Sequence, residues 1–330
     1  MTPAPATRVP RRPLDVPDLV ERLGRGEARA VARLISLVED ASPALRQVMT
    51  LLAPRAGHAR VVGLTGSPGV GKSTSTSALV SAYRRRGMRV GVLAVDPSSP
   101  FSGGALLGDR VRMQDHATDD GVFIRSMASR GHLGGLSWAT PQALRVLSAA
   151  GCDVVLVETV GVGQAEVEVA ALADTTLVLL APGMGDGIQA AKAGILEIAD
   201  VFVVNKADRE GADTVARDLR YMQSLATGDG TTDAWKAPIL KTVAARGEGA
   251  DEVVDAIERH GAWLAAGGRL EVRRRQRAAN EVEAIALTAL RARIGDLRGS
   301  ESLARLAARV VAGELDPYTA ADELVEGLTG

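Results

Sequence analysis

The sequence predicts a doubly wound α/β fold, with a mostly parallel sheet of about seven strands and helical extensions at both ends. From about residue 59 to residue 261, short runs rich in Val, Ile and Leu alternate with stretches of helical periodicity. Several runs are continuously apolar, as expected for parallel strands covered on both faces. Glycine-rich or acidic segments follow most runs, at the edge where such sheets bind ligands. The predicted strands are residues 61–64, 90–95, 122–124, 154–157, 176–180, 201–204 and 239–243.

Helical segments flank this region. Residues 16–53 carry apolar side chains at helical spacing, as in Val31, Leu34, Ile35 and Val38, and predict a helical cap on the main domain. The tail after residue 267 is also helical, and Asp316 with the following proline opens its last helix. The predicted organisation is a disordered lead-in with an N-terminal helical extension (1–57), the α/β domain (58–266) and a C-terminal helical arm (267–330).

Composition narrows the class of protein. The chain has 330 residues, 46% of them hydrophobic, and a net charge of −1, which gives no electrostatic reason to expect nucleic-acid binding. The arginine runs at 84–86 and 273–275 are typical of solvated helix faces. No apolar run approaches the roughly 18 residues of a membrane span, and residues 1–13 lack a secretory pattern, so we expect no membrane contact and a cytoplasmic location. Cys152 is the only cysteine, which excludes an intramolecular disulfide.

A phosphate-binding loop follows the first predicted strand. Residues 66–74 have the sequence GSPGVGKST and precede a helical stretch, which matches G-x-x-x-x-G-K-[ST] in the strand-loop-helix setting that it requires. Such a loop turns its backbone N–H groups and the helix N-terminus toward an anion. The alternative is a glycine-rich turn with no ligand. The candidate nucleotide-binding residues here are Gly66, Gly69, Val70, Gly71, Lys72, Ser73 and Thr74.

Acidic residues follow three later segments. Asp96 ends the second strand, and its alternative role is to start a turn before a proline. Asp109 lies in the glycine-bearing loop beyond it. Glu158 ends an apolar run in the arrangement called Walker B, and Gly161 follows where a backbone N–H can sense a γ-phosphate. Because Mg²⁺ takes few carboxylates and keeps several waters, Ser73, Asp96 and Glu158 are the candidate Mg²⁺ ligands, direct or through water.

A second glycine-rich loop occupies residues 181–187. It contains Asp186 and precedes Lys192, one of only five lysines in the chain, and it predicts a mobile segment. On spacing alone, a tight turn with a helix N-cap at Asp186 explains the same pattern.

The segment after the sixth strand predicts the base that is bound. Asn205, Lys206 and Asp208 form the N-K-x-D pattern. An aspartate at the last position accepts hydrogen bonds from N1–H and the 2-amino group of guanine, whereas adenine has no such pair of donors. The lysine stem covers the base and the asparagine braces the loops. Val243 and Ala244, after the last strand, are expected to complete the pocket with a backbone N–H.

Together these motifs resemble the MeaB/ArgK family, the SIMIBI-class P-loop GTPases that act as chaperones of adenosylcobalamin-dependent acyl-CoA mutases and include the methylmalonic aciduria type A protein. The similarity covers nearly the whole chain. Ordinary GTPases share only the phosphate loop and the N-K-x-D segment. The residues that carry it are 66–74, Asp96 to Ser99 with Gly103, Gly104 and 107–109, 125–128, 130–131 and 133–136, 158–164, 182–186, 205–208 and 316–318.

The resemblance implies a role for each site residue. Lys72, Asp96, Asp109 and Glu158 are expected to act in GTP hydrolysis, with Mg²⁺ as cofactor and GTP or GDP as the bound nucleotide. Gln164, Asp186 and Lys192 are expected to signal the nucleotide state to an acyl-CoA mutase, methylmalonyl-CoA mutase first. Val162 stands where many GTPases have glutamine, which implies slow hydrolysis that the partner accelerates. Similar proteins form homodimers through the C-terminal arm.

Two alternatives remain open at this point. One is a P-loop kinase or ATPase of the ArgK type, linked to amino-acid transport; the N-K-x-D pattern argues for guanine instead, and no phosphoacceptor site is visible. The other is a nickel metallochaperone GTPase, for which one cysteine and four scattered histidines offer too few ligands.

Overall fold

The computed structural model describes residues 14–96, 116, 118–128, 139–159, 165–183, 195–226, 234–294 and 300–329. These residues form one sheet of seven strands in the order β3-β2-β4-β1-β5-β6-β7, and every neighbouring pair is parallel. The predicted fold class is therefore confirmed. The strands are β1 Arg60–Thr65, β2 Val90–Asp96, β3 Val122–Ala128, β4 Val154–Thr159, β5 Thr175–Leu180, β6 Val201–Val204 and β7 Ile239–Lys241.

Helices cover both faces of the sheet. One face packs against α1 to α3, α5 and α6, and the other against α4 and α9, while α8 covers β5 and β6. The helices of this part of the chain are α1 Val16–Gly24, α2 Ala28–Glu39, α3 Leu45–Leu52, α4 Lys72–Arg85, α5 Ala139–Ala149, α6 Ala165–Leu172, α7 Ile195–Ile198, α8 Ala212–Ala226 and α9 Ala250–Ala266. The tail forms α10 Arg269–Ile294, α11 Glu301–Val311 and α12 Pro317–Thr329.

Strand β1 lies at the centre of the sheet, between β4 and β5. Gly63, in its middle, touches α6 so closely that a Cβ there would be 2.3 Å from Val169 Cγ1. Only glycine allows this approach. Strand β1 also pairs with β4 in parallel, with Leu64 opposite Glu158 in register, so the carboxyl ends of the two strands lie side by side.

The N-terminal helices form a cap on the sheet, as the sequence predicts. Their buried side chains share one apolar core with α5 and with one face of β1, β2 and β4. Ser148 fixes the connection to β1, because its Oγ accepts hydrogen bonds from the backbone N–H groups of Gly57, His58 and Ala59 at 2.9, 3.1 and 3.2 Å.

The start of α10 contacts the amino ends of β5 and β6. Arg273 forms two hydrogen bonds to the carboxylate of Asp200, at 3.0 and 3.1 Å, and Arg274 binds the carboxylate of Asp174 at 3.0 Å. Both aspartates are buried. These arginines, which the sequence places on a solvated helix face, instead neutralise buried charge, because an unpaired carboxylate is costly inside a protein. Burial also lowers the pKa of the neighbouring His260, against the opposing effect of Asp200.

By its contacts the chain forms two compact units, one up to Arg274 and one from Arg275 to Gly330. In the second unit, α12 begins as predicted, since the Asp316 carboxylate accepts hydrogen bonds from the N–H groups of Tyr318 and Thr319 at 2.9 and 3.2 Å. The three-part division at residues 57 and 266 stays a prediction. Within the described part of the chain, no helix combines the length and the apolar character that crossing a bilayer requires.

Candidate functional site

The predicted phosphate loop lies between the end of β1 at Thr65 and the start of α4 at Lys72. Three of its glycines have positive φ: Gly66 at 142°, Gly69 at 80° and Gly71 at 95°. Two of them also lack room for a side chain. A Cβ on Gly66 would lie 2.3 Å from Leu179 O, and a Cβ on Gly71 would lie 2.5 Å from Asn205 Nδ2. Both conformation and space therefore require glycine at these two positions.

The side chain of Lys72 is buried and turned toward the loop. Its Nζ donates hydrogen bonds to Gly66 O at 2.7 Å and to Ser67 O at 3.2 Å. The loop's carbonyl oxygens therefore hold the Lys72 ammonium, and its positive charge lies where the loop would bind an anion. Val70, within the loop, is buried, and Thr74 is half-buried in the first turn of α4.

Glu158, near the end of β4, joins that strand to α4. Its side chain is buried, and its two oxygens accept hydrogen bonds from two hydroxyls of the helix: Ser73 Oγ at 2.5 Å and Thr76 Oγ1 at 2.9 Å. Ser73 and Thr76 are three residues apart and therefore lie on the same face of the helix. The sequence identified Ser73 and Glu158 but not Thr76; the only available signal was its i+3 spacing from Ser73.

The N-K-x-D segment directly contacts the phosphate loop. Asn205 donates from Nδ2 to Val70 O at 2.9 Å, and Lys206, which has a φ of 57°, donates from Nζ to Gly69 O at 2.7 Å. Asn205 Oδ1 in turn accepts hydrogen bonds from the hydroxyl of Thr242 and the N–H of Ala244, each at 3.1 Å. Asn205 thus links three loops at one edge of the sheet.

The remaining base-site residues lie at the same edge. Asp208 is exposed, and Arg246 Nη2 lies 3.9 Å from its carboxylate. The N–H of Val243 donates to Glu248 O at 3.0 Å. In this structure the N–H groups of both Val243 and Ala244 therefore have partners within the protein.

Several predicted site residues fall outside this geometry. Asp96 ends β2, next to β4, but only its backbone is described. Asp109, Gly161, Gln164, Asp186 and Lys192 lie outside the described residues.

The sheet has seven parallel strands, and its glycine-rich loop surrounds a buried lysine and accepts a hydrogen bond from an asparagine. Together these features define a P-loop GTPase. A family model described as Methylmalonyl Co-A mutase-associated GTPase MeaB matches residues 31–296. The chain belongs to this family, and it is a GTPase. The resemblance that the sequence motifs indicate is thereby confirmed.

Individual relatives agree with this assignment. A putative GTPase of Pyrococcus horikoshii is 48% identical over 320 residues, which cover 97% of this chain and 99% of the relative. The GTPase ArgK of Escherichia coli is 40% identical over 263 residues, covering 78% and 79%. A solved structure described as a LAO/AO transport system kinase superposes with a TM-score of 0.69 at 30% identity, over 96% of this chain and 98% of the other.

The contact between Gly71 and Asn205 can be tested with two glycine variants. Gly71→Ala and Gly87→Ala each put alanine into a left-handed conformation, at a cost of about 1–2 kcal/mol in the free energy of unfolding. Only at Gly71 does the new methyl group collide with Asn205, since a Cβ at Gly87 meets nothing within 4 Å. We therefore expect Gly71→Ala alone to weaken GTP binding, by about tenfold or more, the factor that corresponds to ~1.4 kcal/mol. Calorimetric titration checks this, and equal affinities in the two variants would contradict it.

Proposed function

We propose that the chain is a Mg²⁺-dependent GTPase whose nucleotide state gates the delivery of adenosylcobalamin to an acyl-CoA mutase, methylmalonyl-CoA mutase first, and the protection or reactivation of that enzyme. The observation that carries the proposal is the pair of hydrogen bonds from Asn205 and Lys206 to the phosphate loop, in a chain whose family is described as mutase-associated. These hydrogen bonds couple the segment that would bind the base to the loop that would bind the phosphates. A cytoplasmic location is part of this proposal.

Hydrolysis is assigned to four residues around the triphosphate. Lys72 neutralises charge on the β- and γ-phosphates, and Asp96, Asp109 and Glu158 act around the metal and in the rearrangement of the switch loops. The burial of Lys72 and Glu158 supports their part in this assignment, because electrostatic interactions are stronger where water is excluded. Gly161 would contact the γ-phosphate through its N–H, which distinguishes GTP from GDP.

The residues present fit Mg²⁺. Ser73 Oγ and Glu158 Oε1 lie 2.5 Å apart, and both are hard oxygen ligands. Mg²⁺ is usually held by one or two such groups together with phosphates and waters, and when bound it neutralises developing charge on the phosphates. Among the residues that the structure describes, no group of three or more His, Cys, Asp or Glu side chains forms a separate metal site.

Asp208 would select guanine, and replacing it should change the base that is bound. In Asp208→Asn, one carboxylate oxygen becomes an amide donor, which repels the 2-amino group of guanine but suits the C2 carbonyl of xanthine, while the remaining oxygen can still accept from the N1–H that both bases carry. We expect the affinity for GTP to fall about 10- to 100-fold, as for the loss of a charged hydrogen bond, while the affinity for XTP rises.

The matched control for this variant is Asp213→Asn, which changes an exposed acid of α8 that pairs with Lys241. It should leave the affinity for GTP as it is. Competition titrations with GTP, XTP and ATP supply the measurement. Equal affinity of the parent chain for ATP and GTP would contradict the guanine assignment and favour the kinase or ATPase alternative. The solved relative described as a kinase is the observation that favours testing this alternative.

The partner is proposed to read the nucleotide state through Gln164, Asp186 and Lys192. We expect an adenosylcobalamin-dependent acyl-CoA mutase to raise the rate of GTP hydrolysis by about tenfold or more, since groups supplied in trans can add several orders of magnitude. Phosphate release is measured with and without methylmalonyl-CoA mutase. Lys72→Ala, which removes the phosphate-binding ammonium, should show no stimulated hydrolysis. A rate that no acyl-CoA mutase changes would contradict the chaperone role.

We also propose a homodimer formed through the C-terminal helices. Large apolar side chains are exposed on α10, among them Val282, Ile285 and Leu290, and Val311 is 90% exposed at the end of α11. Exposed apolar side chains that cluster on one segment are typical of an interface.

Light scattering at micromolar concentration should give twice the chain mass of 34.3 kDa. Ile285→Glu should lower this mass toward that of a monomer, because it places a charge in the proposed interface. Leu225→Glu changes an apolar side chain of α8 that is even more exposed than Ile285, and it should leave the mass at that of the dimer. A parent chain that scatters as a monomer would remove the proposal.

A further inference from the structure

We propose that Thr76 is a positioning residue for the metal site: it fixes Glu158, and Glu158 fixes the hydroxyl of Ser73. The inference rests on the proposed Mg²⁺ dependence and adds to it a residue that lies outside the G-x-x-x-x-G-K-[ST] motif. It follows from the geometry of one buried carboxylate and two helix hydroxyls.

The first step concerns the proton of Thr76. Its Oγ1 lies 2.9 Å from Glu158 Oε2 and 3.0 Å from Lys72 O, the acceptor that a helical threonine commonly uses. A hydroxyl has one proton. Lys72 O also faces the N–H of Thr76 in the regular helix, whereas a carboxylate is the stronger acceptor and is costly to bury without donors. The geometry therefore favours donation to Glu158.

The second step concerns the direction of the carboxylate. A glutamate side chain turns about its terminal bond unless both oxygens are held. Here Thr76 holds Oε2 and Ser73 holds Oε1 at 2.5 Å, and neither Thr76 nor Glu158 has appreciable solvent exposure. With its proton committed to Oε1, Ser73 Oγ has its lone pairs available for a cation. Hydrogen-bonded partners of this kind set the affinity and orientation of metal ligands.

The test compares variants of the full chain in calorimetric titrations with GDP, at a series of Mg²⁺ concentrations and in EDTA. Thr76→Val keeps the β-branched shape and removes the hydroxyl. We expect the Mg²⁺ concentration for half-maximal enhancement of GDP binding to rise about 10- to 100-fold. GDP affinity in EDTA should stay at the parent value, which a merely structural role would not predict. Thr76→Ser, which keeps the donor, should restore the parent Mg²⁺ response.

Ser75→Ala is the matched control. Ser75 is the neighbouring residue of α4 and is also buried, but its Oγ has no hydrogen-bond partner among the described residues. Its removal should leave the Mg²⁺ response unchanged. If Thr76→Val does not fold, Thr76→Ala takes its place, since alanine favours the helix. A double-mutant cycle with Glu158→Gln supplies a second measurement, in which the valine variant should add little once the carboxylate is gone.

Three results would overturn the inference: a Mg²⁺ response in Thr76→Val equal to that of the parent, an equal loss of GDP affinity with and without Mg²⁺, or fully additive effects in the cycle. A parent chain whose GDP binding ignores Mg²⁺ would remove both this inference and the proposed Mg²⁺ dependence. If GDP binding by the parent responds to Mg²⁺ and the Thr76→Val variant responds to the same extent, only this inference is overturned.

Discussion

The buried carboxylate of Glu158 is the constraint on which this edge of the sheet depends. A carboxylate inside a protein must be surrounded by donors, and the two hydroxyls that serve it belong to the first turns of α4. The requirement fixes the helix against β4, and it does so only because β1 and β4 are paired in parallel, with Leu64 beside Glu158. The phosphate loop connects β1 to α4. Its position therefore follows from the pairing of β1 with β4 and from the contact between α4 and Glu158.

The loop is held from its other side by Asn205. This side chain uses its amide nitrogen for Val70 O and its amide oxygen for Thr242 and Ala244, so it connects the ends of β6 and β7 to the loop. Gly71 makes the approach possible, since any side chain there would occupy the position of the amide. The phosphate loop thus lies between the anionic side chain of Glu158 on β4 and the neutral side chain of Asn205 after β6. The nucleotide site can be organised before any ligand arrives.

Much of this architecture could be predicted from the sequence, because the strong signals are local. The apolar runs fix the strands, and the spacing of Gly66, Gly71 and Lys72 fixes a loop that must join β1 to α4. Thr76 could not be identified in this way, since its role depends on a residue of β4 that is 82 positions away. Arg273 and Arg274 were misjudged for the same reason: the sequence shows three adjacent arginines, but not the buried aspartates at the amino ends of β5 and β6 that two of them neutralise.

The two edges of the sheet hold charge in different ways. At the amino edge, Asp174 and Asp200 are each paired with an arginine, so that charge is matched within the chain. At the carboxyl edge, the buried ammonium of Lys72 faces carbonyl oxygens of the loop, and Glu158 is met by neutral hydroxyls. Hydroxyls stabilise a carboxylate by hydrogen bonding without adding a positive charge beside it. An arginine partner of the kind found at the amino edge would instead place a positive charge beside the proposed Mg²⁺ site, where it would repel the ion.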